Sequence, residues 1–210
     1  MMRKFIIFFL TAGFLVSSHF IVSGQNVFDF ENLDLEGWEI PDWALEQQDQ
    51  VGYELTISDE RTYKKSAFSL ELKCDFPGDR WAAAVIEYNR HIDFSGYKDI
   101  SCEIYVPRQA RAGGFLQARV ILVAGPWWWI EQRMAIPLTV GRWTTLEAKL
   151  DVTEDNQMSY WKRKSKDGTL VNYRDQVEKV IIRIEYNASE RHAGPEYKGP
   201  IYIDDIKFRK

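Results

Sequence analysis

Pro126-Trp127-Trp128-Trp129-Ile130-Glu131-Gln132-Arg133 is the stretch on which the fold turns. Read with the two-residue period of a strand, it has two faces. Trp128, Ile130, Gln132, Met134 and Ile136 point one way, and all but Gln132 are apolar. Trp127, Trp129, Glu131 and Arg133 point the other way and mix indoles with a carboxylate and a guanidinium. Unpaired charges are costly on a core face, so this second face is expected to be wet. The alternative is that the indoles are core and the charges mark the strand end. Gly125-Pro126 is also able to seed a bulge, which would exchange the roles of Trp128 and its neighbours.

Other strands repeat the same division. In Phe115–Val123, Leu116, Ala118, Val120 and Leu122 lie opposite Phe115, Gln117, Arg119 and Ile121. In Val180–Tyr186, the apolar set Val180, Ile182, Ile184 and Tyr186 lies opposite Arg183 and Glu185. If these strands are neighbours, Arg119, Glu131, Arg133, Arg183 and Glu185 surround Trp127 and Trp129 on one surface. Cross-strand ion pairing on a solvated face is the plain alternative. Large indoles on such a face instead suggest a ligand or partner that covers them. Sugars, with apolar C–H faces rimmed by hydroxyls, suit rings flanked by carboxylates and guanidinium groups.

Strand-like segments recur along the chain between turn residues such as Pro77-Gly78-Asp79 and Val140-Gly141. About ten short strands without a long helical period predict an all-β sandwich or jelly roll of antiparallel strands. A short helix near Tyr173–Val177 is the one helical signal, and Pro41-Asp42-Trp43 reads as a loop tip.

Met1-Met2-Arg3-Lys4 followed by the apolar run Phe5–Val16, with Val22-Ser23-Gly24 before Gln25, has the form of a signal peptide over residues 1–24. The run is too short to span a bilayer well. Residues 25–210 are then a single secreted or periplasmic domain. Loss of Arg3 and Lys4 takes Lys+Arg from 27 to 25 against 31 acids, a net charge of about −6. That balance disfavours a nucleic-acid partner, and no membrane contact is expected after cleavage. The basic run Lys162-Arg163-Lys164-Ser165-Lys166 reads as a solvated loop. Cys74 and Cys102 both sit in phase with apolar neighbours. An oxidising compartment permits a bridge, and buried free thiols are equally ordinary.

Three segments together carry a family resemblance. They are Phe28-Asp29-Phe30-Glu31 with Gly37-Trp38, Gly141-Arg142-Trp143-Thr144-Thr145-Leu146, and Gly199-Pro200-Ile201-Tyr202-Ile203-Asp204-Asp205-Ile206. They resemble β-sandwich carbohydrate-binding modules with a galactose-binding-like jelly roll, and the aromatic spacing is most similar to the mannan-binding family 27 group. The resemblance implies a non-catalytic module that binds a β-linked mannan or glucan, alone or within a glycan-degrading complex. It implies that Trp38 and Trp143 are structural and that stacking residues come from Trp43, Trp81 and one or two of Trp127–Trp129. It also implies a structural calcium between the first and last strands, with Glu31 and Asp204 as the matching acids; two solvated acids are the competing reading. No catalytic residue is assigned. The main competing function is a glycosidase using Glu131 and Glu185, with Arg119 and Arg183 orienting its substrate. A cell-surface protein docking through the aromatic face is a third reading.

Overall fold

The computed structural model describes residues 27–163 and 170–210. The expected signal peptide and the end of the basic run lie outside them. The strands are β1 (Val27–Phe28), β2 (Trp38–Glu39), β3 (Gly52–Ser58), β4 (Ser69–Phe76), β5 (Ala82–Tyr88), β6 (Asp99–Tyr105), β7 (Leu116–Ala124), β8 (Trp128–Gln132), β9 (Ile136–Pro137), β10 (Trp143–Lys149), β11 (Trp161–Arg163), β12 (Val177–Tyr186) and β13 (Tyr197–Arg209). Two single-turn helices, α1 (Asp42–Leu45) and α2 (Gln157–Tyr160), join them.

One sheet runs β10-β6-β13-β4-β3, with β1 also on β13. The other runs β11-β8-β7-β12-β5-β2, with β9 also on β7. The strand pairings are antiparallel throughout. The molecule is a β-sandwich, as the alternation predicts. Alternate residues of both sheets, among them Leu72, Ile104, Val120, Ile182 and Ile203, meet in one buried core. Phe28, Trp38, Tyr88 and Phe208 close one end of it through edge-to-face and tilted ring contacts.

The expected helix near Tyr173–Val177 is a 3-10 segment over Leu170–Gln176. Pro41-Asp42-Trp43, expected as a loop tip, instead opens α1. The basic run is not wholly a loop either. Lys162 and Arg163 belong to β11, which pairs with β8, and the Arg163 guanidinium lies 3.4 Å from the centre of the Trp128 ring.

Cys74 and Cys102 are both free and buried. The register keeps them apart. Cys74 is opposite Gly199 on β13, and its thiol donates to that carbonyl at 3.3 Å. Cys102 lies on the far side of β13, between Ser101, paired with Lys207, and Glu103, paired with Asp204. Their levels differ by at least the span from Gly199 to Asp204, roughly 16 Å at about 3.3 Å per residue. A disulfide needs Cα atoms within about 7 Å. Burial pushes both thiols up, away from the reactive thiolate. A reducing agent is therefore expected to leave the melting temperature unchanged; a drop would show a bridge.

The run of small residues Ala82, Ala83 and Ala84 positions the future site. Val51 N–H donates to the Ala83 carbonyl at 2.7 Å, and Ala83 N–H to the Asp49 carbonyl at 2.8 Å. Larger side chains would hold this segment away from β5. Instead it folds back along the sheet edge and carries α1 over the outer face, where Ala44 and Ile40 pack on Val85, Ile121, Val123 and Ile181.

Candidate functional site

The register of β8, β7, β12 and β5 writes the outer face as rows. Trp129, Val123 and Lys179 form one row. Glu131, Ile121, Ile181 and Glu87 form the next. Arg119, Arg183 and Val85 form the third, and Gln117, Glu185 and Ala83 the fourth. The face is thus not the open wet platform expected from its charges. Its centre is apolar and roofed by α1, and its charged end is buried.

The charges are buried because they are paired. Arg119 and Arg183 stand directly opposite each other, a repulsive arrangement relieved by two carboxylates. Glu185 accepts from Arg119 Nη2 at 3.0 Å, Arg183 Nε at 2.7 Å and Gln117 Nε2 at 2.8 Å. Glu131 Oε2 accepts from Arg183 Nη2 at 2.7 Å, with Arg119 Nη1 and Lys162 Nζ each at 3.6 Å. Arg119, Glu131 and Glu185 retain only 8%, 4% and 2% of their exposure. Burial by itself would raise the Glu185 carboxyl, but Arg183 and Arg119 outweigh it and hold the group below its ordinary value.

β8 stops where this network needs it to. The Gln132 side chain replaces the missing ladder partner, its Oε1 accepting Val120 N–H at 3.1 Å and its Nε2 donating to the Glu147 carbonyl at 2.8 Å. Its backbone carbonyl accepts from Arg119 Nη1 at 3.1 Å. Arg133 falls beyond this end. It is exposed and donates from Nε to the Met158 carbonyl at 2.6 Å, away from the other predicted residues. Met134, expected on the apolar face, is also past the strand and 70% exposed.

The other end of the same face is a cleft of about 570 Å³. Trp43, Trp81, Trp127 and Trp129 line it with Arg183, and Gln47, Asp49 and Gln50 stand on its rim. Four indoles from three separate segments therefore meet in one recess. Trp129 follows the expected phase: it faces outward, packs on the apolar patch and meets Trp43 edge-on with ring centres 6.0 Å apart. Trp128 faces the core beside Tyr173. Trp127 is not on the strand. It ends the turn Gly125-Pro126-Trp127, its N–H on the Gly125 carbonyl at 2.8 Å, with φ at +67°. That left-handed conformation costs a non-glycine residue about 1–2 kcal/mol. It leaves the indole 74% exposed at the cleft mouth.

Glu87 and Lys179 are among the lining residues that carried no clear signal in the sequence. Glu87 is buried beneath the cleft, accepting from Trp43 Nε1 at 3.2 Å and Lys179 Nζ at 2.6 Å. It fixes the Trp43 ring and neutralises Lys179. Its phase with Val85 was readable, but a lone acid in an Ala-rich strand gives no hint of a roof above it. Lys179 shares the phase of Ile181 and Arg183, so extending that strand by one residue would have found it.

Neither a protein-family model nor a curated protein sequence matches the chain. Solved structures do match its architecture. The module CBM27-1 of Caldicellulosiruptor saccharolyticus, solved in complex with mannohexaose, superposes with a TM-score of 0.56 at 18% identity, over 89% of this chain and 98% of that one. This chain therefore shares the β-sandwich fold of that module. A carbohydrate-binding module of type CBM28, specific for non-crystalline cellulose, gives a TM-score of 0.55 at 13% identity, over 87% and 92% of the two chains. An exo-β-agarase gives 0.54 at 14% identity, but the match spans only 25% of that longer protein. The match thus takes in nearly the whole of two solved modules and a quarter of a longer agarase chain.

Proposed function

We propose that this protein is a non-catalytic glycan-binding module that holds a neutral β-linked polysaccharide of mannan or glucan type in the four-tryptophan cleft. The observation that carries the reading is the convergence of Trp43, Trp81, Trp127 and Trp129 on one recess with a polar rim. Indole faces suit the C–H faces of pyranose rings, and the rim amides and carboxylate suit their hydroxyls. The cleft cations are already matched by acids, Lys179 by Glu87 and Arg183 by Glu131 and Glu185. Little net positive charge is left for an anionic polymer, which favours an uncharged one. Affinity electrophoresis against galactomannan, glucomannan, mixed-linkage β-glucan and soluble cellulose tests this. Retardation by at least one is expected; free migration through all four would refute it.

Residues 1–24 fit secretion of this module to where polysaccharides are met. Among the described residues no helix is long and apolar enough to cross a membrane. The glycosidase reading is weaker. A general acid needs a raised pKa, whereas Glu185 is held low and shares Arg183 with Glu131. Both carboxylates act within this reading as supports for the cleft floor.

A structural calcium is the second part of the proposal. Glu31 Oε1 accepts Ala67 and Phe68 N–H at 2.7 and 3.3 Å, and Asp204 Oδ2 accepts Tyr63 N–H at 2.8 Å. Both acids therefore grip one loop, from opposite ends. Asp204 is fully buried, and burial pushes its carboxyl up to about 6; a bound cation would favour the ionised form. Among the described residues no group of three acids, histidines or cysteines forms a metal site, so backbone carbonyls would complete the hard-oxygen set. At pH 7, calcium is expected to raise the melting temperature of chelator-treated protein. Identical melting curves would remove the ion from the proposal.

A further inference from the structure

The outer face of the opposite sheet carries a second aromatic cluster. Trp143, Tyr105 and Tyr202 form one cross-strand row over β10, β6 and β13. Trp143 and Tyr105 lie 5.5 Å apart, Tyr105 and Tyr202 6.3 Å, and Tyr63 closes on Trp143 at 5.5 Å. Tyr202 is buried, while Tyr63, Tyr105 and Trp143 are partly exposed. Beside the rings is a recess of about 330 Å³, lined by Arg61, Tyr105, Arg108, Gln109 and Gly141.

Two guanidinium groups border this recess. Arg61 lies over the Tyr105 ring, 5.7 Å from its centre. The Arg108 stem crosses Gly141, whose φ is +75° and where any Cβ would overlap that stem. Glycine thus lets Arg108 lie flat along the wall. Among the described residues neither Arg61 nor Arg108 forms an ion pair. Nearby acids have hydroxyl partners instead: Glu60 accepts from Tyr202 at 2.8 Å and Glu103 from Thr145 at 2.9 Å. This is the reverse of the tryptophan cleft, where the cations are paired with carboxylates.

We propose that this recess is a second saccharide site, selective for a sugar bearing an anionic group, either a carboxylate or a sulfate ester. The anion sits between Arg61 and Arg108, whose planar donor forks match both groups. The sugar ring lies against Tyr105 in the recess, with Trp143 beside that ring. Without residues 1–24 the chain carries a net charge of about −6, so general attraction to a polyanion does not substitute for these two side chains. With the neutral cleft on the other sheet, the module grips two chemically different polymers and gains avidity where they are interleaved.

The test is calorimetry and affinity electrophoresis of the purified protein at physiological salt. Polygalacturonate serves as the carboxylate probe, dextran sulfate as the sulfate probe and galactomannan as the neutral comparator. Binding to either anionic polymer supports the site and names its group. The double variant Arg61→Ala/Arg108→Ala is expected to weaken that binding by about tenfold or more and leave galactomannan retardation unchanged. Both residues are exposed, and a wild-type melting temperature verifies the fold of the variant. Trp129→Ala should leave the anionic probe bound. The proposal is overturned if neither anionic polymer binds, if the double variant binds as well as wild type, or if Trp129→Ala abolishes anionic binding.

Discussion

Trp129→Ala is expected to weaken binding of the neutral glycan by about 30-fold or more, the loss of roughly 2 kcal/mol that marks a buried aromatic anchor. Trp129 is the hub of the cleft. It packs below on the apolar patch, meets Trp43 edge-on, and pairs across the strands with Val123 on the cleft floor. Truncation removes a stacking surface and also frees Trp43 from one neighbour. Trp127→Ala should cost less, because that indole is largely exposed at the mouth and gains contact only when ligand is present. Calorimetric titration of both variants with one glycan checks the order. Equal, negligible losses would mean that the indoles do not carry the binding.

Glu185→Ala is expected to be the most destabilising single change on this face. It leaves buried Arg119 and half-buried Arg183 opposed with only Glu131 between them. Breaking a buried ion pair in this way costs about 3–5 kcal/mol. At roughly 2–4 °C per kcal/mol for a chain of this size, the melting temperature should fall on the order of 10 °C. A fall of a degree or less would show that water, rather than Glu185, satisfies the guanidinium groups. The pH dependence has a definite sign. Folding holds Glu185 below its ordinary 4.5, so the unfolded chain takes up its proton first as pH falls. The contribution is complete above about pH 4.5 and is lost as pH drops through the lower folded value. Asp204 acts oppositely. Burial raises it from 3.8 to about 6, so its contribution is complete below pH 3.8 and is lost as pH rises through about 6.

Strand alternation made the sandwich legible, because a one-residue slip would turn a whole apolar set outward. The same phase separated Trp128 from Trp129. What it does not carry is what covers a face. Arg119, Glu131 and Glu185 suggested water because charges are costly to bury, yet charges that satisfy one another across three strands are buried together. That pairing depends on register, which one strand's sequence does not contain. The roof was hidden for a similar reason. Nothing local in Pro41-Asp42-Trp43 says that Ala83, some forty residues later, is small enough to let the segment lie over β5. Trp43 and Trp81 are marked by family resemblance rather than by periodicity. Gln47, Asp49 and Gln50 had neither pattern nor motif to mark them. Arg133 was misplaced because alternation continues on paper past Gln132, where the side-chain amide ends the ladder.

The most direct test of the cleft as the glycan site is a crystal structure of the protein with a neutral β-linked hexasaccharide, mannohexaose or cellohexaose. The account predicts pyranose rings against Trp129 and its neighbouring indoles, with hydroxyls on the rim of Gln47, Asp49 and Gln50. A sugar ordered on any other surface, with the four-tryptophan cleft left to solvent, would contradict it.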